Sequence, residues 1–243
     1  MTRSHKGFTL IEVAVALGIL GALTLVVATI MIRTIDTYGQ VMSDTDTTRQ
    51  ARQCMEEISR EMREAIDGDI WLPADGGLPS NNVRDALLLT SARQSGIPAP
   101  PAPQTTFISD ANGFPVPRSI ILFYINTTAE GIPQLVRHQL FYDEDLSAYA
   151  PPFRFPAVNP YQGPAIVILD NNNTVITINR TSGAVVGTAP FRAPKVLMNE
   201  TTSFDIVANL LNPPEIRITC QNRDRYGRTA TTRLITQVEP RNL

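Results

Sequence analysis

The hydrophobic pattern changes character twice along the chain. Residues 13–32 contain no charge and consist mostly of Val, Leu, Ile and Ala. About 20 such residues, rising ~1.5 Å each as a helix, span a bilayer core of ~30 Å. Beyond Arg33 the pattern becomes amphipathic. Ile35, Tyr38 and Val41 or Met42 recur every three to four positions. After a polar stretch at 43–49 come Ala51, Cys54 or Met55, Ile58, Met62, and Ala65 or Ile66. That spacing predicts one apolar helix face, with Arg52, Glu56, Glu57, Arg60, Arg63 and Glu64 on the opposite one. Gly68 predicts the stop. The helix is therefore expected to run from Phe8 to about Ile66.

After Gly68 the pattern changes to short apolar or β-rich runs broken by turn residues, with clearer alternation at 134–142. Strands are expected at 86–91, 119–126, 134–142, 165–169, 174–179, 215–220 and 231–238. Further candidates lie at 195–198 and 203–207. The segments 127–133, 170–173 and 222–227 carry Gly, Pro, Asn and Asp and predict hairpin connections. The run Pro98-Ala99-Pro100-Pro101-Ala102-Pro103 predicts a surface loop, because it cannot continue a helix or a central strand. The expected class is α+β: a long N-terminal helix packed on an antiparallel β-sheet head.

Composition narrows the function classes. The net charge is −2 over 243 residues, with no long basic or acidic run, so no nucleic-acid partner is expected. The two cysteines, Cys54 and Cys220, are too far apart in sequence for a zinc ribbon or a CxxC redox motif. Outside the cytoplasm they could form a disulfide; otherwise they are two buried, small apolar side chains. Both alternatives stand at this point. The two histidines are His5 and His138, and no Gly-x-Ser-x-Gly, P-loop or His-Glu-x-x-His motif occurs. Nothing supports a hydrolase or a metalloenzyme; no catalytic residue, metal or cofactor is expected. Asp143-Glu144-Asp145 and Asp170–Asn173 are read as turns rather than calcium ligands.

The N-terminus carries the most specific chemistry. Arg3 and Lys6 precede the apolar span, which favours leaving that end in the cytoplasm. No A-x-A-like cleavage site follows Ile32, so an ordinary secretory signal peptide does not fit. Glu12 stands at the edge of the apolar run. A carboxylate at membrane depth costs ~2–3 kcal/mol or more and marks function.

The stretch Lys6-Gly7-Phe8-Thr9-Leu10-Ile11-Glu12, after a short basic leader, resembles the class III signal of type IV pilins and type II secretion pseudopilins. The resemblance implies cleavage after Gly7 by a prepilin peptidase and N-methylation of the new terminus, Phe8. It implies that Glu12 meets the terminal amine of a neighbouring subunit and sets register in a filament. The implied organisation is a leader at 1–7, a transmembrane part at 8–32, an extracytoplasmic half-helix at 33–67 and a β-rich head at 68–243. The implied partners are the peptidase, other pilin or pseudopilin subunits and inner-membrane lipid.

The strands around Leu135-Val136-Arg137 and the closing hairpin at 214–238 loosely resemble J-type minor pseudopilins and W-type minor pilins. No proline precedes Pro73, whereas many major type IV pilins carry one in the membrane segment. The expected role is thus a minor filament subunit near the tip. A pilus-linked adhesin on the same anchor is the other reading.

Overall fold

The structure, a computed structural model, describes residues 9–71, 86–92, 110–156, 160–186, 193–209, 212–223 and 229–238. It divides into two compact units, Met1–Asp46 and Thr47–Leu243. Helix α1, Leu10–Glu64, contributes to both. In the first unit its apolar side chains, from Leu10 through Val41, are exposed. One 18-residue window has a mean hydropathy of 2.6, and none of it is buried. By length and composition this helix can cross a membrane. Its few polar groups are satisfied locally. The hydroxyls of Thr24, Thr29 and Thr34 donate to the carbonyls of Leu20, Leu25 and Ile30 at 2.8, 2.8 and 2.9 Å. An unpaired hydroxyl in an apolar medium would cost several kcal/mol, on the order of 4–8.

The second unit begins on the same helix. Ala51, Cys54, Met55, Ile58 and Met62 are buried there, as the 3-4 spacing predicts. Among the described residues eleven strands follow: β1 (Asp67–Trp71), β2 (Ala86–Ser91), β3 (Ser119–Thr127), β4 (Pro133–Phe141), β5 (Tyr161–Gln162), β6 (Ala165–Leu169), β7 (Val175–Asn179), β8 (Lys195–Asn199), β9 (Thr201–Asn209), β10 (Asn212–Arg223) and β11 (Thr229–Gln237). They form three sheets, ordered β1-β2-β3-β4-β8, β11-β10-β9 and β5-β6-β7. Every pairing is antiparallel.

The single sheet expected from the sequence is therefore three, and the reason lies in β2 and β3. Both strands are buried along almost their whole length. A strand buried on both faces reads as a continuous apolar run and needs cover from two sides. Period two sorts the side chains. Leu87, Leu89, Ile121 and Phe123 join α1, Phe204 and Ile218 in one core. Leu88, Ile120, Leu122 and Tyr124 join Ile166, Ile168, Ile176 and Ile178 in the other. The central sheet is thus covered by α1 and β9–β11 on one face and by β5–β7 on the other. Two strands were not expected. β1 pairs Gly68 with Leu89, where glycine suggested only a helix stop. β5 spans just two residues.

Adjacent residues of β4 show what happens to polar groups on the two faces. Arg137 points toward α1. Its Nη2 donates to Glu61 Oε1 and Gln139 Oε1, both at 3.1 Å, and its Nε lies 3.6 Å from Glu57 Oε1. Lys195 Nζ reaches both Glu57 oxygens, at 2.9 and 2.7 Å. The Glu61 side chain is 2% exposed, so its charge has left water. Glu57, expected on the solvent face, is instead mostly buried and paired to the sheet. The pull of Arg137 and Lys195 outweighs its phase in the helical pattern.

His138, the next residue, enters the opposite core. It is 1% exposed, and neither ring nitrogen has a hydrogen-bond partner among the described residues. Burial, aided by the Arg137 charge, lowers its pKa from 6.5 to about 4. The fold therefore holds the neutral ring, while an unfolded chain protonates it near pH ~6.5.

Two outcomes follow for the full chain in detergent, read by denaturant titration. Arg137→Leu should lower stability by about 3–5 kcal/mol, since Glu61 stays buried without its main partner. Adding Glu61→Leu should recover most of that; a double variant as weak as the single one would contradict the buried-pair account. The His138 contribution should be complete above pH 6.5 and disappear as pH falls toward about 4, on the order of 3 kcal/mol in all. His138→Leu should remove that acid-dependent part. A gap between wild type and variant that does not change with pH would contradict it.

Candidate functional site

The start of α1 is built as a reciprocal cap. Val13 N–H donates to the Thr9 carbonyl at 3.3 Å, which makes Thr9 the N-cap. The Thr9 N–H and hydroxyl both donate to Glu12 Oε2 at 2.9 Å, and the Glu12 N–H donates to Thr9 Oγ1 at 3.4 Å. This is a capping box, in which two terminal N–H groups are satisfied by side chains. The carboxylate also lies where the helix dipole favours negative charge.

Glu12 therefore has a local use that its place in an apolar anchor did not suggest. The signal was present: Thr9-Leu10-Ile11-Glu12 has the T-x-x-E spacing of a capping box. The cap occupies one carboxylate oxygen. Glu12 Oε1 has no partner among the described residues and can accept a hydrogen bond from a further donor. Gly7 and Phe8 lie outside the described residues, as does the leader.

The remaining candidates fall in the second unit and are structural. Cys54 and Cys220 are free thiols buried in the same core. Burial, with Glu57 nearby, pushes the Cys54 thiol up to about 12. Cys220 Sγ donates to the Thr232 carbonyl at 3.5 Å. Neither has the exposed, electropositive setting of a reactive cysteine.

The acidic segments close turns. Asp170 accepts from Asn172 N and Thr174 N at 2.9 and 2.7 Å through Oδ1, and from Ala150 N at 3.2 Å through Oδ2. Asp145 accepts from Phe141 N at 2.9 Å. Among the described residues no group of three or more His, Cys, Asp or Glu is placed to hold a metal ion. The Pro98–Pro103 stretch lies outside the described residues.

The prokaryotic N-terminal methylation motif matches residues 2–28. That span covers the basic leader, the Gly7-Phe8 junction, the capped turn at Thr9–Glu12 and most of the apolar helix. The motif implies processing by prepilin peptidase. No curated protein and no solved structure matches the chain. The likeness is to the N-terminal methylation motif of the type IV pilin class, and here that motif lies on a long apolar helix that continues into a sheet-packed half.

Proposed function

We propose that this protein is a minor subunit of a type II secretion pseudopilus or a type IV pilus, placed near the tip. The observation that carries this reading is the methylation motif at the capped start of a membrane-length helix. In this reading the chain waits in the inner membrane with its N-terminus cytoplasmic and its head outside. Peptidase cuts after Gly7, and Phe8 is methylated. The new amine lies in an apolar medium, where an unpaired charge is costly. Glu12 of a neighbouring subunit answers it. The pair forms only at one axial offset between helices, so it selects register as well as contact.

Thr9 has a part in this scheme. While a subunit is stored, the cap keeps Glu12 from facing lipid with no partner. On assembly Oε1 receives the neighbour's amine while Oε2 keeps the cap. The helix then stays intact during transfer from lipid to filament. A minor place is favoured by the absence of any proline before Pro73 and by the loose J-type and W-type likeness of the head.

The test separates capping from register. Glu12→Gln retains the cap, since glutamine also serves a capping box, but lacks the charge. Filament incorporation, measured by shearing and immunoblotting, should fall at least about tenfold for both Glu12→Gln and Glu12→Ala, the effect expected for losing roughly 1.4 kcal/mol or more of assembly energy. The head should keep its unfolding midpoint in both. Wild-type incorporation of Glu12→Gln would reduce Glu12 to a helix cap.

A further inference from the structure

Strand β11 forms one margin of its sheet, and among the described residues it pairs with β10 alone. Its ladder with β10 is unbroken from Glu215↔Gln237 to Arg223↔Thr229, whereas the β10–β9 ladder contains register shifts. β11 has no proline and no lysine, and its one charge is Arg233. Natural edge strands are normally blunted by proline, bulges, lysine or short length, because unpaired N–H and C=O groups recruit other strands. With nine residues, β11 is long, regular and nearly undefended.

A groove runs beside this edge within the second unit. The α1 residues Arg52, Met55, Glu56 and Arg63 line one side, and Leu234 and Ile235 the other. Met55 and Ser59 are each 7% exposed and Leu234 packs on the core, so the floor has an apolar strip beside a hydroxyl. Ile235 is 54% exposed at the rim. Arg52, Glu56 and Arg63 are exposed along one helix stripe. With Arg233, the charges bordering the edge are three arginines against one glutamate.

We infer that the β11 edge accepts an extended, acidic segment of a partner protein by strand addition. Backbone groups of β11 supply the ladder, the Met55–Leu234 side of the groove takes one set of alternate side chains, and the net positive charge of the margin favours an acidic segment over a basic one. A second copy of β11 is a poor occupant, since it would bring another Arg233 to a margin already rich in arginine. The inference rests on the second unit alone and is independent of the filament reading.

The probe is a fluorescent nine-residue peptide, matched to β11 in length and alternating valine with glutamate. It is titrated onto the full chain in detergent by anisotropy. Saturable binding is expected, at least about tenfold weaker when lysine replaces glutamate, and similarly weakened by Arg52→Glu or Arg63→Glu. Both arginines are exposed, so these variants should keep the fold. In an added strand only alternate N–H groups face the neighbour. N-methylation of one alternate set should therefore abolish binding, while methylation of the other leaves it. Absence of binding, equal binding of the lysine peptide, or tolerance of both methylated sets would overturn the inference. So would self-association of the chain that the peptide displaces.

Discussion

Strands β2 and β3 are apolar on both faces, and neither face can be left in water. Each large side chain on such a face is worth about 1.5–3 kcal/mol when buried, so an uncovered face would outweigh the net stability of most domains. Two different covers resolve this. One side receives the second half of α1 with β9–β11, the other the small β5–β7 sheet. Several polar groups caught at these seams are paired, with the buried His138 ring an exception among the described residues. Arg137 and Lys195 fasten α1 to β4 and β8 through Glu57 and Glu61. On the far side Tyr124 donates to the Arg180 carbonyl at 3.2 Å, and Arg180 donates to the Gly163 carbonyl at 2.6 Å, tying β3 to the third sheet.

The first unit obeys the opposite rule. Among its described residues there is no buried core, and its apolar side chains are exposed along the helix. A helix can persist in lipid because all its backbone groups bond internally. This one extends the principle to its side chains, folding threonine hydroxyls back onto its own carbonyls and closing its N-terminus with Thr9 and Glu12. The same carboxylate that completes the cap keeps one oxygen available. Closure of the helix start and, in the proposed filament, contact with a neighbour therefore rest on one residue.

Much of this was legible in the residue pattern, and the failures have physical causes. The apolar stripe of α1 lies where periodicity placed it, and the strands β2 and β6 lie where short apolar runs placed them, because burial shapes both patterns directly. The three-sheet arrangement was not legible. Continuous apolar runs reveal that a strand is covered twice but not which elements cover it. Glu57 and Glu61 were misassigned or overlooked because helical phase says nothing about a cationic partner 76 residues away, as Arg137 is from Glu61. β5 was too short to generate a pattern. At the N-terminus the processing motif was evident from Gly7, Phe8 and Glu12, while the capping function of Thr9 was written in the same residues and overshadowed by them. The bridge between Cys54 and Cys220 could not be decided from spacing, since only their placement in the core distinguishes a bond from two packed thiols.

The most direct measurement of the central claim is the N-terminal mass of the mature chain isolated from membranes of cells containing a prepilin peptidase. The account predicts a chain that begins at Phe8 and carries one added methyl group on its amine. A chain beginning at Met1, or cut on the far side of the apolar helix, would contradict it.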